Sequence, residues 1–498
     1  MEQNQLLKDL RDGKTLTFRQ QLLLIVQLSI PGILAQISEI IMEYIDASMV
    51  GSLGAGASAS IGLIASTTWL MGGIGNAAGT GFTVQIAQYV GAGREKKARD
   101  IFRQGLVSVL LIGAVIAAIG GGIHGKLPVW LGGDQEIVGM ASAYFLIFAL
   151  SMPVKALLNL VSGALQCTGN MTAPSVLLVL TCILDVIFNS FLIFSEHQIA
   201  GITLPGAGLG VAGAALGTTL AQATALIAGF LYIQWKSQIL RHHSGEKLRM
   251  QSHDLQIASK IAVPIAFESS ILCAAQITCT TIVAPLGTLA IAANSLAVTA
   301  ESLCYMPGYG IGTAATTLIG QSIGAGRKDL VRRLGWLTTI FGSLLMAGSG
   351  ALMFILAPQM IGILTPDPEV QALGAAVLRI EAFAEPMFGA SIVASGVFRG
   401  AGDTLAPSCM SLISMWAVRI PLAAFLAPRI GLKGVWIGMC TELCFRGVIF
   451  LIRLAGHRWS EKSVAQKVSG RVQHSYIFDV GMQTQNGFVC GTQCVPAS

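Results

Sequence analysis

Nine acidic side chains fall inside long apolar runs: Glu39, Glu43, Asp46 and Asp185 in the first half, and Glu268, Glu301, Glu381, Glu385 and Glu442 in the second. Four bases, Lys155, Arg379, Arg419 and Arg446, share those runs. An ionisable group in an apolar run is costly and marks an ion or substrate pathway. A carboxylate there can take up a proton. Beside amide and hydroxyl oxygens, it can instead replace water around Na⁺. Glu39, Glu43 and Asp46 are spaced to share one helix face. Asp185 and Asn189 lie one helical turn apart, and Thr218 follows in the next run. For Asn189 and Thr218, a plain cross-helix hydrogen bond is an equal reading. For Asp46 and Asp185 the alternative is a structural ion pair, with Lys155 as the base that could approach in space. Glu442 and Arg446, four apart, read as an ion pair, and Glu381 reads the same way. Glu39, Glu43, Glu268, Glu301, Glu385, Tyr305 and Met306 are candidates for the wall of a cavity that takes bulky cations. Met42, Trp69, Met71 and Phe388 fall near helix centres too, where ordinary packing explains them as well.

Other chemistries find little support. All seven His (124, 197, 242, 243, 253, 457 and 474) fall in loops or the tail, which argues against a His-based metal enzyme. No Gly-x4-Gly-Lys-Ser/Thr nucleotide loop occurs. Eight of the ten Cys are scattered through apolar runs, as small buried hydrophobes are. Cys440 and Cys444 share a helix face, and Cys490 and Cys494 lie in the polar tail.

The elements that hold these residues must be membrane helices. Charged residues make up 11% of the chain and apolar ones 53%, against about 25% charged in a soluble protein. A span needs about 20 apolar residues. Twelve are read, over 22–50, 57–88, 98–123, 136–163, 174–195, 208–236, 254–284, 290–320, 330–357, 369–397, 407–428 and 433–455. Residues 1–20 are polar, and the first apolar run is too long for a signal-peptide core. Lys and Arg sort to one side: Lys8, Arg11, Lys14 and Arg19; Arg94, Lys96, Lys97, Arg99 and Arg103; Lys236 to Lys260; Arg327 to Arg333; Arg399; and the tail. Only Lys126, Arg429 and Lys433 fall opposite. Both termini are therefore expected in the cytoplasm. The net charge of +6 is spread over short loops and does not suggest nucleic-acid binding.

The apolar runs are duplicated. Gln88-Tyr-Val-Gly91-Ala-Gly93-Arg94 recurs as Gln321-Ser-Ile-Gly324-Ala-Gly326-Arg327, an offset of 233. Pro31 and Pro264, Gly75 and Gly308, Gly79 and Gly312, Pro153 and Pro386, Gly169 and Gly402, and Pro174 and Pro407 share it. Beyond the longer loop Ser195–Gly208, Val211 aligns with Val435. On this offset Asp185 corresponds to Val418, and none of the acids repeats. Six helices per copy is an even number, so both copies enter the membrane the same way up. The expected fold is an all-α polytopic membrane protein. Its twelve transmembrane helices form two six-helix lobes, related by a pseudo-two-fold axis along the membrane normal. The first lobe spans 21–236, a cytoplasmic linker 237–253, the second lobe 254–455, and a polar, loosely attached cytoplasmic tail 456–498.

The duplicated Gln-x-x-Gly-Ala-Gly-Arg turn resembles a pattern of the multidrug and toxic compound extrusion (MATE) family. So do Gly163-Ala-Leu-Gln-Cys-Thr-Gly169-Asn170 and Gly396-Val-Phe-Arg399-Gly400-Ala-Gly402-Asp403, each followed by Ala-Pro-Ser. The resemblance covers roughly 20–455. It implies a bacterial-type inner-membrane antiporter that exports organic, cationic and amphipathic compounds in exchange for H⁺ or Na⁺. No cofactor is implied, and a monomer among membrane lipids is expected. In several branches an Asp on the first helix joins an Asn and an Asp one turn apart on the fifth and a Thr on the sixth. Asp46 resembles the first, Asp185 and Asn189 the pair in reversed order, and Thr218 the Thr, so H⁺ or Na⁺ is expected at these four. Pro31 is the implied hinge of the first helix. Glu268 resembles a seventh-helix Glu of another branch. The acid that branch carries on the tenth helix is Phe388 here, with Glu385 about one turn earlier. A flippase for lipid-linked glycans, from the same wider superfamily, would need a cavity rich in Arg and Lys. Here acids outnumber bases, nine to four. An intramembrane enzyme lacks a nucleophile, base or metal constellation.

Overall fold

A computed structural model describes residues 2–199, 202–243, 245–246 and 249–460. A short amphipathic helix, α1 (Glu2–Arg11), precedes the first lobe: α2 (Phe18–Gly51), α3 (Ala55–Gly91), α4 (Glu95–Ile123), α5 (Leu127–Trp130), α6 (Gln135–Cys167), α7 (Thr172–Ile193) and α8 (Gly210–Lys236). Strands β1 (Glu196–Ile199) and β2 (Ile202–Pro205) pair as an antiparallel hairpin in the long loop before α8. The second lobe holds α9 (Ser252–Val283), α10 (Thr288–Gly324), α11 (Lys328–Leu364), α12 (Pro368–Glu381), α13 (Glu385–Ala401), α14 (Leu405–Ile413), α15 (Ile420–Ile430) and α16 (Leu432–Ala455). A π-helical turn, Ser414–Arg419, joins α14 to α15.

The helices form where the apolar runs were read, because backbone groups in hydrocarbon must bond within their own segment. Sequence-local signals trim the ends. Thr17 and Gln20 make a reciprocal capping box at the start of α2. Gly93 and Gly326, and likewise Gly169 and Gly402, hold positive φ at matching turns of the two copies.

Eleven helices among the described residues are long and apolar enough to cross a bilayer unbroken. The tenth crossing departs from the single helix expected over 369–397: α12 stops at Glu381 and α13 starts at Glu385. Pro386 lacks the N–H that would continue the ladder to Ala382. α12 and α13 together supply this tenth crossing, which brings the number to twelve.

The lobes meet reciprocally. α2 lies along α10, and α9 lies along α3. Gly32 and Gly310 let α2 and α10 touch backbone to backbone: a Cβ on Gly32 would stand 2.8 Å from the Gly310 carbonyl oxygen. The closest approach is at the basic end, where the Gln-x-x-Gly turns lie. A Cβ on Gly91 would collide with the Gln321 carbonyl, and one on Gly324 with the Gln88 carbonyl. Each glutamine also reaches across. Gln88 Nε2 donates to the Gly400 carbonyl at 3.1 Å, and Gln321 Nε2 to the Cys167 carbonyl at 2.7 Å. Those carbonyls belong to the last turns of α13 and α6, where helix carbonyls have lost their own partners. Each lobe thus caps a helix of the other.

Further ties gather at the same end. Asp254, fully buried at the start of α9, receives Lys97 Nζ at 2.6 Å and Gln104 Nε2 at 3.0 Å from α4. In the linker, Glu246 bridges Arg99 and Arg103. Desolvation works to raise its pKa, but Arg99 and then Arg103 outweigh it and hold the carboxyl below its usual range. α1 is docked: Leu7 and Leu10 are fully buried beside Met171 of the first lobe and Ile319 and Ile323 of the second. The segment after α16 folds back, with Trp459 buried against Phe398. The remaining tail, with Cys490 and Cys494, lies outside the described residues.

Gly91→Ala and Gly324→Ala are each expected to destabilise the closed basic end by about 1–3 kcal/mol, as overpacking does. Gly122→Ala, which has open space around it, is the control. Thermal unfolding of the purified variants in detergent checks this: midpoints equal to the control would mean that the two backbones do not meet.

Candidate functional site

In the first lobe, α2, α7 and α8 bring three of the four expected residues into one centre, with the fourth beside it. Asp185 and Asn189 lie one turn apart on the buried face of α7, and both are fully buried. The Asn189 amide donates both of its hydrogens, to Asp46 Oδ1 at 2.8 Å and to Asp185 Oδ2 at 3.0 Å. It thereby ties two carboxylates that would otherwise repel. Thr218 stands next to Asp185 and spends its own hydrogen on the Ala214 carbonyl at 3.1 Å. Asp185 Oδ1 and Asn189 Oδ1 are buried and receive no hydrogen bond among the described residues. Unmatched buried acceptors are costly; Asp185 Oδ1 can take a proton, and both are oxygens of the kind a hard cation would satisfy.

Two members of this centre carry no mark in the sequence. Gly217 precedes Thr218, and any side chain there would collide with Asn189 Oδ1. Tyr144 of α6 lies close to Asp46, Asp185 and Glu43. Its own segment is a run of apolar and aromatic residues, so nothing local singles it out.

Glu39 and Glu43 sit lower on the same face of α2. Lys155 of α6 reaches these two electrostatically and forms no ion pair with Asp46 or Asp185 among the described residues. Its ammonium lies 5.3 Å from the centre of the Phe148 ring. Pro31 is inside α2, which runs through it without a break, and Ser175 Oγ donates to the Pro31 carbonyl at 2.6 Å. Met42 and Met71 are buried and Trp69 is exposed.

The second-lobe candidates separate into two groups. Glu268 is half-buried and accepts from Ser408 Oγ at 2.7 Å. Tyr305 and Met306 are half-buried, and the Tyr305 ring packs on Phe388 at 5.5 Å and on Tyr309 at 6.1 Å. Glu301 and Glu385, expected on a cavity wall, lie instead inside the lobe with Glu381. The expected ion pair of Glu442 with Arg446 is present at 2.6 Å, and Ser414 also donates to Glu442. The one expected for Glu381 is not found among the described residues: both of its carboxylate oxygens, and both of those of Glu385, are buried without a hydrogen-bond partner.

The π turn corrects the expected correspondence between lobes. On α7 the core-facing positions are Thr181, Asp185, Asn189 and Ile193. On the eleventh crossing the buried series starts at Ser414, the counterpart of Thr181, but resumes at Ala423 and Ala427, one residue later than the 233 offset demands. A π turn takes in one extra residue. Arg419, and not Val418, therefore stands where Asp185 stands. The sixth helices also align differently from Val211 with Val435. Gly217 abuts Asn189 as Gly438 abuts Ala423, so Thr218 corresponds to Met439. Arg419 Nη2 lies 2.7 Å from the Met439 sulfur. The pair Asp185 and Thr218 has become Arg419 and Met439.

A family model described as MatE matches residues 31–191 and 264–425, starting at the paired prolines Pro31 and Pro264. The chain is 25% identical over 446 residues to a probable multidrug resistance protein NorM of Thermotoga maritima, covering 88% of this chain and 93% of that protein. It is 26% identical over 443 residues to one of the same name from Xanthomonas axonopodis, covering 86% and 92%. Among solved structures, a MOP superfamily transporter from Pyrococcus furiosus has a TM-score of 0.82 at 18% identity, covering 91% and 97%. An outward-facing multidrug resistance MATE family transporter has a TM-score of 0.80 at 18% identity, covering 86% and 95%. At such identity these structures carry the fold alone.

Removing Arg446 while Glu442 remains should cost about 3–5 kcal/mol, because it strands a buried charge. Replacing both, as in the double variant Glu442→Met with Arg446→Met, should recover most of that loss. Thermal unfolding of the single and double variants reads the difference. An Arg446→Met protein as stable as wild type would show that the pair bears no load.

Proposed function

The chain belongs to the MATE family of multi-pass membrane transporters, and from that premise we propose that it exports organic cations in exchange for H⁺ or Na⁺ by alternating access. The observation that carries the reading is the first-lobe centre: two carboxylates held by one amide, with buried oxygens left over. The relatives named as probable multidrug resistance proteins support an amphipathic organic cargo. The surplus of acids over bases in the apolar runs favours a cationic one.

The coupling has a direct route. Asp46 is on α2, and α2 is also the helix that touches the second lobe. Its Gly32 meets Gly310, and its Tyr44 hydroxyl donates to the Thr299 carbonyl at 2.9 Å. An ion or proton at Asp46 and Asp185 removes repulsion between α2 and α7. The change reaches the lobe interface along one helix, with Pro31 as the point of least backbone restraint. Ligand binding of this kind shifts the balance between lobe arrangements only as far as its affinity differs between them. Glu39, Glu43, Glu268, Tyr305 and Met306 are the proposed cargo contacts. The basic end is the cytoplasmic end in this reading, by the excess of Lys and Arg there, and the membrane is a bacterial-type inner membrane.

Efflux of a fluorescent cationic dye from proteoliposomes, driven separately by a pH gradient and by a Na⁺ gradient, tests the proposal. Wild type should respond to at least one gradient. Asp46→Asn and Asp185→Asn should each lose at least roughly tenfold of the driven rate, about 1.4 kcal/mol of transition-state stabilisation, and Gly217→Ala should follow them by displacing Asn189. Dye efflux indifferent to both gradients sinks the antiport reading. Full activity in both Asp variants moves the site elsewhere.

A further inference from the structure

On the outer face of the second lobe, an arginine sits in an apolar groove with no carboxylate beside it. The groove, about 270 Å³, is walled by Phe354 of α11, Arg379 and Ile380 of α12, Phe383 in the break after α12, and Ile437 and Thr441 of α16. Phe354, Phe383 and Ile437 are exposed, as is Ile355 next to them on α11. Exposed apolar side chains of this kind suit acyl chains. Arg379 takes part in none of the ion pairs among the described residues.

The guanidinium is held in place by a second feature of the sequence. Pro358 lies inside α11. A proline has no N–H, so the carbonyl four residues back, that of Phe354, loses its helical partner. Arg379 Nε supplies the missing donor at 3.3 Å. The guanidinium carbon then lies 5.7 Å from the centre of the Phe354 ring, and the Phe383 ring meets Phe354 edge-on at 5.7 Å. With Nε committed, the two terminal nitrogens are left as a fork, the geometry that matches a phosphate in bidentate fashion.

A headgroup on Arg379 would be drawn well inward from the end of α12. Arg379 is eleven residues into α12, whose first residue is Pro368, roughly 16 Å along the axis at about 1.5 Å per residue. The guanidinium stays at about this level, since the Phe354 carbonyl it bonds is itself ten residues from the end of α11 at Leu364. Around it the groove is apolar apart from Cys440 and Thr441, and the Thr441 hydroxyl is already bonded to the Ile437 carbonyl at 2.8 Å. A charge in this position has one abundant counter-ion, the lipid itself.

We infer that this groove is a binding site for one anionic phospholipid, its phosphate on the Arg379 fork and an acyl chain along Phe354, Phe383 and Ile437. The site is independent of the transport centre, and its test does not need transport.

Native mass spectrometry of the delipidated full-length protein, titrated with phosphatidylglycerol or phosphatidylcholine, reads the first lipid bound. Wild type should take the first phosphatidylglycerol roughly tenfold more tightly than phosphatidylcholine, the worth of one charge-assisted pair. Arg379→Gln should erase that preference. Arg379→Lys should retain part of it, having the charge without the fork. Pro358→Ala restores the backbone donor to Phe354, releases Arg379, and should weaken phosphatidylglycerol binding while thermal stability is kept or raised. Inorganic phosphate should not displace the lipid. Equal first-lipid affinities in wild type, an unchanged preference in Arg379→Gln, or displacement by inorganic phosphate would each overturn the assignment.

Discussion

The two lobes are held by backbone meeting backbone. At Gly91 against Gln321 and at Gly324 against Gln88 there is no room for a single Cβ. The same two glutamines send their side chains to the exposed helix ends at Gly400 and Cys167. One short motif, written twice, supplies the contact surface, the close approach and the cap. The two halves of the contact are related by the duplication, so separating one strains the other. The basic end therefore closes as a unit, and the positions of α2, α3, α9 and α10 follow from it.

Because α2 lies against the other lobe, the carboxylate centre and the lobe interface share one helix. Asp46 and Gly32 lie on the same helix with Pro31 beside Gly32. No chain of intermediaries is needed between them. The Ala-Pro-Ser motif extends this frame in both copies: Ser175 bonds the Pro31 carbonyl, and Ser408 bonds Glu268, one turn past Pro264. In each lobe the fifth crossing thus reads the first crossing near its proline.

Much of this was legible in the chain. Apolar length and the constant offset specified twelve crossings in two copies, because bilayer thickness and backbone bonding leave few alternatives. Asp185 and Asn189 were legible as a pair from spacing, since residues one turn apart share a face, whereas Asp46 beside them was implied only by the family resemblance. Glu442 and Arg446 were legible for the same reason. The glutamine exchange was not. Its motif stood out, but the partners lie in the other copy, and local spacing says nothing of that. Gly217 and Tyr144 were hidden because their roles are steric and positional. The break at 382–384 had a signal in Glu385-Pro386 that apolar periodicity overrode. The change of register at Ser414–Arg419 had no signal, since a π turn leaves composition and spacing untouched.

That single extra residue has a consequence for how the halves divide their labour. The first lobe holds oxygens around its centre, and in the proposed antiport the cation that completes them arrives from solution and can leave. The second lobe holds Arg419 at the matching position, a cation attached by covalent bonds to the helix that carries it. A tethered cation is always at full local concentration and can never be exchanged. On the proposed reading one lobe is chemically a receptor, while the other is the same receptor with its ligand built in.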